Sequence, residues 1–424
     1  MKVTYIHHYP YRHLPEDFAS RYEESVVTNP YFELVDPKLV HEDLRSALDE
    51  AMYAARAGFD AVALTEHGQS SYDMNPNPDL GAAALAYATE LEGIETGIYT
   101  VGRSLGKSRE PLRVAEEQAW LDCLSGGRLI SGFPVGLAYD ANVNAGVPPI
   151  ETRARYDENF EFILRAWTER EPFPFNGRYS QYPSVNIWPR PVQQPHPPVS
   201  VTGTGNPNTT RFALQRDLGF NLVVLGAAAP NTAQRIFDDM WRMADELDVD
   251  DNPYRAAFAQ SVVVGETDAD AERLYAKHVE YSMSSGIGHI PMHRLALPGG
   301  ISPQGLRVLL GQAMGAPRGG QTALTYRDLV ESGAVIAGSP ATVRERLADR
   351  ARSFRIGHLL ANLQIGSMPT ELTRHNIDLF STEVLPHLRG IWSEYDGDNR
   401  WWPERLGGRP VSAKQADLTG ARLT

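Results

Sequence analysis

The chain has 424 residues, of which 42% are hydrophobic and 22% charged, and its formal net charge is −13. This composition is ordinary for a soluble globular protein. The negative charge argues against nucleic acid or an anionic membrane surface as the main partner. The single cysteine, Cys123, excludes an internal disulfide framework and a multi-cysteine metal site. No segment approaches the ~20 apolar residues that span a bilayer, and the N-terminus lacks the apolar run of a signal peptide. We therefore expect a cytoplasmic protein.

Short apolar runs rich in β-branched residues alternate with helical patterns along the whole chain. Eight such runs are predicted to be strands: Val3–Ile6, Ala61–Thr65, Glu95–Thr100, Leu129–Phe133, Val199–Gly203, Asn221–Gly226, Ala256–Gly265 and His358–Gln364. Eight strands separated by helices predict an α/β fold, a (β/α)8 TIM barrel with long loops on its C-terminal face. A doubly wound open sheet is the alternative. No G-x-G-x-x-G follows the first strand, which weakens the dinucleotide-binding form of that alternative.

Three helices have clear end signals or a clear apolar face. Pro111 stands at the start of a helical apolar pattern that Gly126-Gly127 ends. The stretch Tyr156–Trp167 places its large apolar residues on one face. Ser339-Pro340 suits the N-cap and the first helical position of a third helix.

Three irregular segments interrupt the alternation: residues 7–39, rich in Pro, Tyr and His, residues 171–198, rich in proline, and residues 284–324, rich in glycine. Long excursions after barrel strands build the active-site face, so we expect these segments there. Residues 1–390 are predicted to form one barrel with insertions at about 171–198 and 284–324. Residues 391–424 are a C-terminal extension that packs either on the barrel or on a neighbouring subunit.

The second predicted strand ends directly in Glu66-His67-Gly68, which places His67 at the mouth of the barrel. A histidine there can donate a hydrogen bond, move a proton or bind a metal, because its ordinary pKa lies near physiological pH. No H-x-x-x-H or similar spacing accompanies it, so no metal site is expected. His8 and His7 follow the first strand, but adjacent side chains on a strand point in opposite directions.

A possible anion site follows the fifth predicted strand, in the sequence VSVTGTGNPNTTR. A glycine-rich turn leads there into a helix start, which gathers backbone N–H groups and hydroxyls at one point. Such a site suits a single phosphate. The residues predicted to form it are Gly203, Thr204, Gly205, Asn206 and Thr209.

Several motifs resemble those of the bacterial luciferase-like flavin monooxygenases. The stretch REPLRVAEEQAWLDCLSGGRLISGFPVG resembles the family's central motif, in which a proline-led AEE helix leads through D-x-L-S-x-G-R to G-x-x-x-G. Residues 57–67 resemble the pattern G-F-D-x-x-x-x-x-E-H. VIAGSPATVRERL and FSTEVLPHLR resemble the closing signature. The resemblance extends from about residue 40 to Leu388.

The resemblance implies a flavin site and roles for individual residues. His67 would lie near the reactive flavin C4a position, next to Glu66, and the strand end at Tyr99 and Thr100 would pass beneath the isoalloxazine ring with a non-proline cis peptide. Three further residues are implied flavin contacts: Gly132, Thr152 and Tyr156.

The chain departs from the family pattern at two positions. Gly68 replaces a second histidine, which we expect to leave more room above the flavin. Val135 replaces an arginine that lies near the phosphate in bacterial luciferase. The phosphate charge would then be met elsewhere, with three arginines as candidates: Arg103, Arg190 and Arg294.

By this resemblance the chain is a two-component flavin-dependent monooxygenase. It would receive reduced FMN from a separate NAD(P)H-dependent flavin reductase, react with O2 through a C4a-(hydro)peroxyflavin and oxygenate a small organic substrate. The family implies a homodimer or homotetramer. One alternative is hydride transfer with the deazaflavin F420, which other members of the superfamily use. Another is a flavin-binding protein without turnover.

Overall fold

The computed structural model describes residues 1–223, 231–313 and 324–416. Its strands are β1 (Lys2–His7), β2 (Ala61–Leu64), β3 (Gly97–Thr100), β4 (Leu129–Gly132), β5 (Phe173–Asn176), β6 (Gln181–Val185), β7 (Val199–Gly203), β8 (Gly219–Leu222), β9 (Ala256–Val264), β10 (Val335–Gly338) and β11 (His358–Asn362).

Its α-helices are α1 (Phe18–Arg21), α2 (Tyr31–Leu34), α3 (Pro37–Arg56), α4 (Pro78–Leu91), α5 (Pro111–Leu124), α6 (Thr152–Thr168), α7 (Pro207–Gln215), α8 (Thr232–Glu246), α9 (Asp268–Ser284), α10 (Met292–Leu295), α11 (Pro303–Ala313), α12 (Tyr326–Glu331), α13 (Pro340–Ser353), α14 (Thr370–Leu379), α15 (Leu385–Arg389) and α16 (Ala413–Ala416). Shorter helical turns are π-helical at Asp140–Asn144 and Phe380–Val384, and 3-10 at Pro149–Glu151, Pro253–Arg255, Ile287–His289, Ser393–Asp398 and Glu404–Leu406.

Eight parallel strands form a closed barrel in the order β1, β2, β3, β4, β7, β8, β9 and β11. The ring closes where β11 pairs with β1, with His358 opposite Lys2. The predicted (β/α)8 barrel is therefore confirmed, and its strands are the eight that the sequence indicates. β8 begins earlier than predicted, and residues 224–226 of that prediction lie outside the described residues.

Two β elements were not predicted. β10 pairs only with the outer half of β9, where Val335 stands opposite Ser261, so it extends the sheet without entering the ring. β5 and β6 form an antiparallel hairpin within residues 171–198. This hairpin packs on α6, where Phe175 meets Phe162 edge to face with 4.9 Å between ring centroids.

The expected helix ends are present. α5 begins at Pro111 and ends before Gly126 and Gly127, whose φ values of 61° and 81° are the left-handed conformation that glycine adopts without strain. The Ser339 hydroxyl accepts a hydrogen bond from the backbone N–H of Thr342 at 3.4 Å, which caps α13.

Side chains point alternately inward and outward along each barrel strand, and the inward ones fill the barrel interior. One buried cluster contains the inward set: Ile6, Ala61, Ala63, Tyr99, Val101, Ile130, Ala257, Leu360 and Trp402. Trp402 belongs to the C-terminal segment and meets His358 at 5.2 Å between ring centroids. Because His358 begins β11, Trp402 closes the N-terminal end of the barrel. Trp402 of the extension therefore packs on the barrel, which is one of the two placements that the sequence left open.

The irregular segments differ in where they lie. Residues 171–198 precede a strand and follow a helix, so they lie toward the N-terminal face, and none of them lines the cavity described below. The expectation that they build the active-site face is wrong for that reason. Residues 284–310 do contribute to the cavity, and residues 314–323 lie outside the described ranges. No helix within the described ranges is both long and apolar enough to cross a lipid bilayer.

Candidate active site

A cavity of about 540 Å³ occupies the C-terminal end of the barrel. This volume lies within the range of about 300–1,000 Å³ that is usual for small-molecule sites, and ligand sites of (β/α)8 barrels form at this face. Inward residues at the strand ends form one side, among them Thr65, Val101 and Thr202. The segment Ile287–Leu309 supplies apolar side chains to the other side.

His67 lies on the cavity and is paired with a carboxylate. Its Nδ1 atom is 2.9 Å from Oδ2 of Asp140, which is buried. Burial lowers the pKa of His67, but the Asp140 charge and hydrogen bond more than offset this, so the pKa is raised above its ordinary value of 6.5. With Nδ1–H held by Asp140, Nε2 is the ring atom that can give or take a proton.

Asp140 begins a π-helical turn, Asp140–Asn144, that follows β4. The Asn144 amide nitrogen donates to Oδ1 of Asp140 at 2.9 Å, and the backbone N–H of Gly68 donates to the same oxygen at 3.4 Å. A Cβ added at Gly68 would lie 2.7 Å from that Asn144 nitrogen. The expectation of extra room at Gly68 is therefore wrong, because the Asn144 side chain occupies that space.

A second histidine, His8, lines the cavity beside His67. The two rings stack with 6.4 Å between centroids and 11° between planes. One ligand atom from each, together with one carboxylate oxygen of Asp73, lies within 4.8 Å of the others. The Asp73 oxygens already accept hydrogen bonds from the Thr65 hydroxyl at 2.5 Å and the Tyr9 N–H at 3.2 Å. These hydrogen bonds make the carboxylate part of the fold, because they tie the loop after β2 to the backbone after β1.

The predicted phosphate loop lies at the opposite side of the cavity. β7 ends at Gly203, and the Asn206 side chain caps α7 by accepting from the Asn208 N–H at 3.1 Å. Gly203, Thr204, Asn206 and Thr209 all line the cavity. The start of a nine-residue helix therefore faces the cavity, which favours an anion there. Gly205 turns the chain with φ of 91° and is not a lining residue.

Arg153 supplies the cation of this region. It lines the cavity, and its Nη2 atom donates to the Thr209 hydroxyl at 2.9 Å. Its Nη1 atom is buried without a hydrogen-bond partner among the described residues. Burial lowers the pKa of Arg153, which the charge of Asp157 only partly offsets. A buried donor without a partner next to a helix start is the arrangement that a phosphate oxygen would satisfy.

The three arginines that the sequence offered for this role are engaged elsewhere. Arg103 pairs with Asp79 at 3.1 Å. The Arg190 guanidinium donates to the backbone carbonyl of Glu169, and Arg294 pairs with Glu24 at 2.7 Å. None of the three lines the cavity. The expectation that one of them meets the phosphate is therefore not supported by their placement.

At the end of β3, Tyr99 and Thr100 do not line the cavity, whereas the next residue, Val101, does. Tyr99 points into the barrel below the cavity, and its hydroxyl lies 2.5 Å from Ser200 Oγ and 2.5 Å from the amide nitrogen of Asn221. Thr100, the next residue, points outward to Gln118 of α5 at 3.2 Å. Among the described residues, the cis peptide bonds both precede prolines, Pro189 and Pro195, so the cis peptide expected at this strand end is absent.

Three further predicted flavin contacts are packing residues that do not line the cavity. Tyr156 is fully buried and donates its hydroxyl hydrogen to the Phe133 carbonyl at 3.0 Å. Thr152 is buried against Gly106, where an added Cβ would lie 2.7 Å from the Thr152 methyl carbon. Gly132 sits against the β3 backbone, which a Cβ would approach to 2.5 Å. Helix α6 turns Tyr156 and Thr152 toward neighbouring elements, and Gly132 packs against the backbone at Thr100 and Val101.

Glu66 does line the cavity, but its carboxylate is occupied. Oε1 pairs with Lys107 at 2.6 Å, and Oε2 accepts from the Ser104 N–H at 3.0 Å. Glu66 thus ties the end of β2 to the loop after β3, beside His67.

Sequence reasoning missed Arg153 and Asp140. Arg153 lies in the ETRARY stretch, three positions before Tyr156 and so on the same side of the helix, and its charge was the available signal. Asp140 follows the glycine-rich end of β4, but no spacing in the chain connects it with His67.

Comparison with known proteins identifies the family. A family model described as luciferase-like monooxygenase matches residues 23–355, which is more than half of the chain. The oxygenase component of a flavin-dependent trigonelline monooxygenase from Acinetobacter baylyi is 33% identical over 165 residues, covering 38% of this chain and 43% of that protein. The match thus spans less than half the length of that relative.

Two solved structures share the fold. The oxygenating constituent of 3,6-diketocamphane monooxygenase from Pseudomonas putida, in complex with FMN, matches with a TM-score of 0.66 and 19% identity. The match covers 91% of this chain and 98% of that chain. An F420-dependent secondary alcohol dehydrogenase in complex with an F420–acetone adduct matches with a TM-score of 0.62 and 18% identity. The match covers 92% of this chain and 99% of that chain. With the family match over residues 23–355, the chain is an enzyme that belongs to the luciferase-like monooxygenase family.

Proposed function

We propose that this enzyme binds reduced FMN in the cavity and uses it with O2 to oxygenate a small organic substrate. The observation that carries the proposal is Nη1 of Arg153, which has no partner in the described part of the chain and lies beside the start of α7, because it suits a phosphate monoester. The pair of His67 with Asp140 lies on the same cavity, so that one volume offers both a phosphate site and a proton-moving group.

When bound, reduced FMN supplies two electrons, with which one oxygen atom of O2 goes to the substrate and the other leaves as water. The chain's own residues bind, orient and exclude water. Arg153, Thr209 and the α7 start would hold the phosphate, and His67 would hold or deliver a proton from Nε2. The apolar side chains of Ile287–Leu309 would keep water from the reacting end.

Anaerobic titration with reduced FMN and, separately, reduced F420 tests the proposal. We expect reduced FMN to bind, and mixing of the complex with oxygenated buffer to give a transient near-ultraviolet band, as a C4a-(hydro)peroxyflavin would. Binding of F420 alone, without that transient, would assign hydride transfer instead. Binding of FMN with neither a transient nor turnover would leave a carrier protein.

A reductase partner follows from the same proposal, because the cavity has to receive FMN already reduced. The trigonelline relative is an oxygenase component, which supports a two-component system with a separate NAD(P)H-dependent reductase. Adding any flavin reductase that releases reduced FMN should then support turnover without a stable complex between the two proteins.

We also propose that the enzyme is a dimer through α4 and α5. The exposed face of α4 carries Leu80, Tyr87 and Leu91, exposed by 65%, 58% and 70%, next to the half-exposed Glu90. Trp120 of the adjoining α5 is 50% exposed. Exposed helix faces are normally polar, and an apolar stripe on neighbouring helices suits a second copy of the same stripe.

Replacing Tyr87 by glutamate should therefore convert the dimer to a monomer, because it would place a charge in an apolar interface. Light scattering coupled to gel filtration measures this. Phe32→Glu is the matched control, since Phe32 is 97% exposed and lies far from α4 in sequence. A wild-type monomer, or a Tyr87→Glu dimer as stable as the wild type, would contradict the proposal.

A further inference from the structure

A small side pocket of about 60 Å³ adjoins the cavity. The two volumes share six lining residues: His8, Ser261, Ser282, Met283, Ile287 and Asn362. Gln364, which follows β11, lines the side pocket but not the cavity. The side pocket is therefore an extension of the site at the ends of β9 and β11, large enough for a small polar group but not for a ring system.

Its wall presents hydrogen-bond acceptors. Gln364 is 1% exposed, and its amide nitrogen donates to the carbonyl of Gly366 at 2.8 Å. This contact fixes the amide orientation, because an amide oxygen cannot donate to a carbonyl. The Gln364 Oε1 atom is then left without a partner among the described residues, as is Oδ1 of Asn362.

Three hydroxyl groups of the wall are also acceptors toward a ligand. Ser71, Ser282 and Tyr281 each donate their single hydroxyl hydrogen to a backbone carbonyl, at 3.0, 2.8 and 3.1 Å. A hydroxyl whose hydrogen is committed can only accept from a further group. The amide oxygens Gln364 Oε1 and Asn362 Oδ1 therefore favour a ligand group that brings hydrogens.

The pocket also lacks charge. Among the described residues that line it there is no Asp, Glu, Lys or Arg. Burial and the neighbouring His67 lower the pKa of His8 to about 3, so its imidazole is neutral. An ion buried here would have no counter-charge, which is unfavourable.

We propose that the side pocket anchors the polar end of the substrate, and that this end is an uncharged group with N–H or O–H donors. The rest of the substrate then lies in the cavity near His67, whose ring stacks with that of His8 at 6.4 Å between centroids. Calling the ligand of this pocket a substrate rests on the proposed function. The binding preference itself does not depend on the flavin.

Four nearly isosteric probes test the assignment on the full-length protein: benzamide, nitrobenzene, benzoate and benzamidinium. Benzamide is neutral and brings N–H donors, nitrobenzene is neutral with acceptors only, and the other two are an anion and a cation. We expect benzamide to bind about tenfold more tightly than nitrobenzene, since the latter leaves the buried acceptors unpaired. Benzoate and benzamidinium should both bind more weakly than benzamide. Calorimetry or ligand-detected NMR measures the four dissociation constants without flavin.

Gln364→Leu should reduce the preference for benzamide over nitrobenzene to within about twofold, because it removes an acceptor at nearly constant volume. Gln415→Leu is the matched control: Gln415 is also fully buried with an unpartnered Oε1, but it lies in the C-terminal segment and does not line either volume. Its preference should equal that of the wild type.

The wild-type ranking alone decides the proposal if Gln364→Leu does not fold. Nitrobenzene, benzoate or benzamidinium binding as tightly as benzamide would overturn it, and so would binding of none of the four. A failed reduced-FMN titration with an intact benzamide preference would overturn the proposed function and leave the side pocket's chemistry standing.

Discussion

Replacing His67 by alanine should give a folded protein that still binds reduced FMN but loses most oxygen transfer. His67 lies on the cavity with Nδ1 held by Asp140 at 2.9 Å, which orients Nε2 for proton transfer. A positioned acid or base contributes about 10²–10⁴-fold to such steps. We therefore expect the near-ultraviolet transient to decay at least about 10²-fold faster, with hydrogen peroxide released in place of oxygenated product.

Stopped-flow mixing of the protein–reduced FMN complex with oxygenated buffer measures the lifetime of the transient. A peroxide assay measures the hydrogen peroxide released. His13→Ala is the matched control, because His13 pairs with Asp43 at 3.4 Å outside the cavity. A His67→Ala variant with the wild-type lifetime would remove His67 from the mechanism.

The pH dependence of the transient's lifetime shows whether His67 acts in its protonated form. While Nδ1–H donates to Asp140, Nε2 donates only when the ring is protonated. The Asp140 charge raises the pKa of His67, so the protonated form persists to higher pH than for an isolated histidine. The transient should be long-lived below the raised pKa and shorten as pH rises through it. In Asp140→Asn the pKa of His67 falls, and the shortening should begin at lower pH. An unchanged pH profile in Asp140→Asn would show that Asp140 does not act through His67.

The fold was predictable because its pattern is local and repeated. Each barrel strand is a short buried run followed by a helix. The two ends of α5 are marked in the sequence itself, by Pro111 at its start and by the glycine pair after its end. β10 was missed although it is a buried run followed by a helix, as the barrel strands are. It differs from them in pairing with β9 outside the ring, and no local pattern in the sequence shows that. The hairpin in residues 171–198 was hidden by prolines, which usually argue against strands.

The site was only partly predictable, because its contacts join distant positions. His67 and the loop after β7 were placed correctly at the cavity, since the end of a parallel strand fixes where the following residues lie. Which side chain turns inward at a strand end was not fixed: Tyr99 lies below the cavity and Thr100 outside the barrel. Asp140 and Arg153 reach the cavity through a π-helical turn and through the first turn of α6, and neither geometry is readable from spacing.

Replacing Arg153 by glutamine should weaken the binding of reduced FMN and leave the binding of reduced riboflavin unchanged. The guanidinium is tied to Thr209 at 2.9 Å and has an unpartnered Nη1 beside the α7 start. A hydrogen bond to a charged group contributes about 1.5–3 kcal/mol. At about 1.4 kcal/mol per tenfold change, the dissociation constant for FMN should rise about 10- to 150-fold. Riboflavin lacks the phosphate, so its affinity should change less than about twofold.

The comparison of two ligands and two variants separates phosphate binding from general damage to the site. Arg155→Gln is the matched control on the same helix, because Arg155 pairs with Glu151 at 2.9 Å, lies over the Tyr179 ring and does not line the cavity. It should leave both ligands unaffected. Equal losses for FMN and riboflavin in Arg153→Gln would mean that Arg153 only supports the fold of the loop. No loss for either would place the phosphate elsewhere, and with it the orientation of the flavin relative to His67.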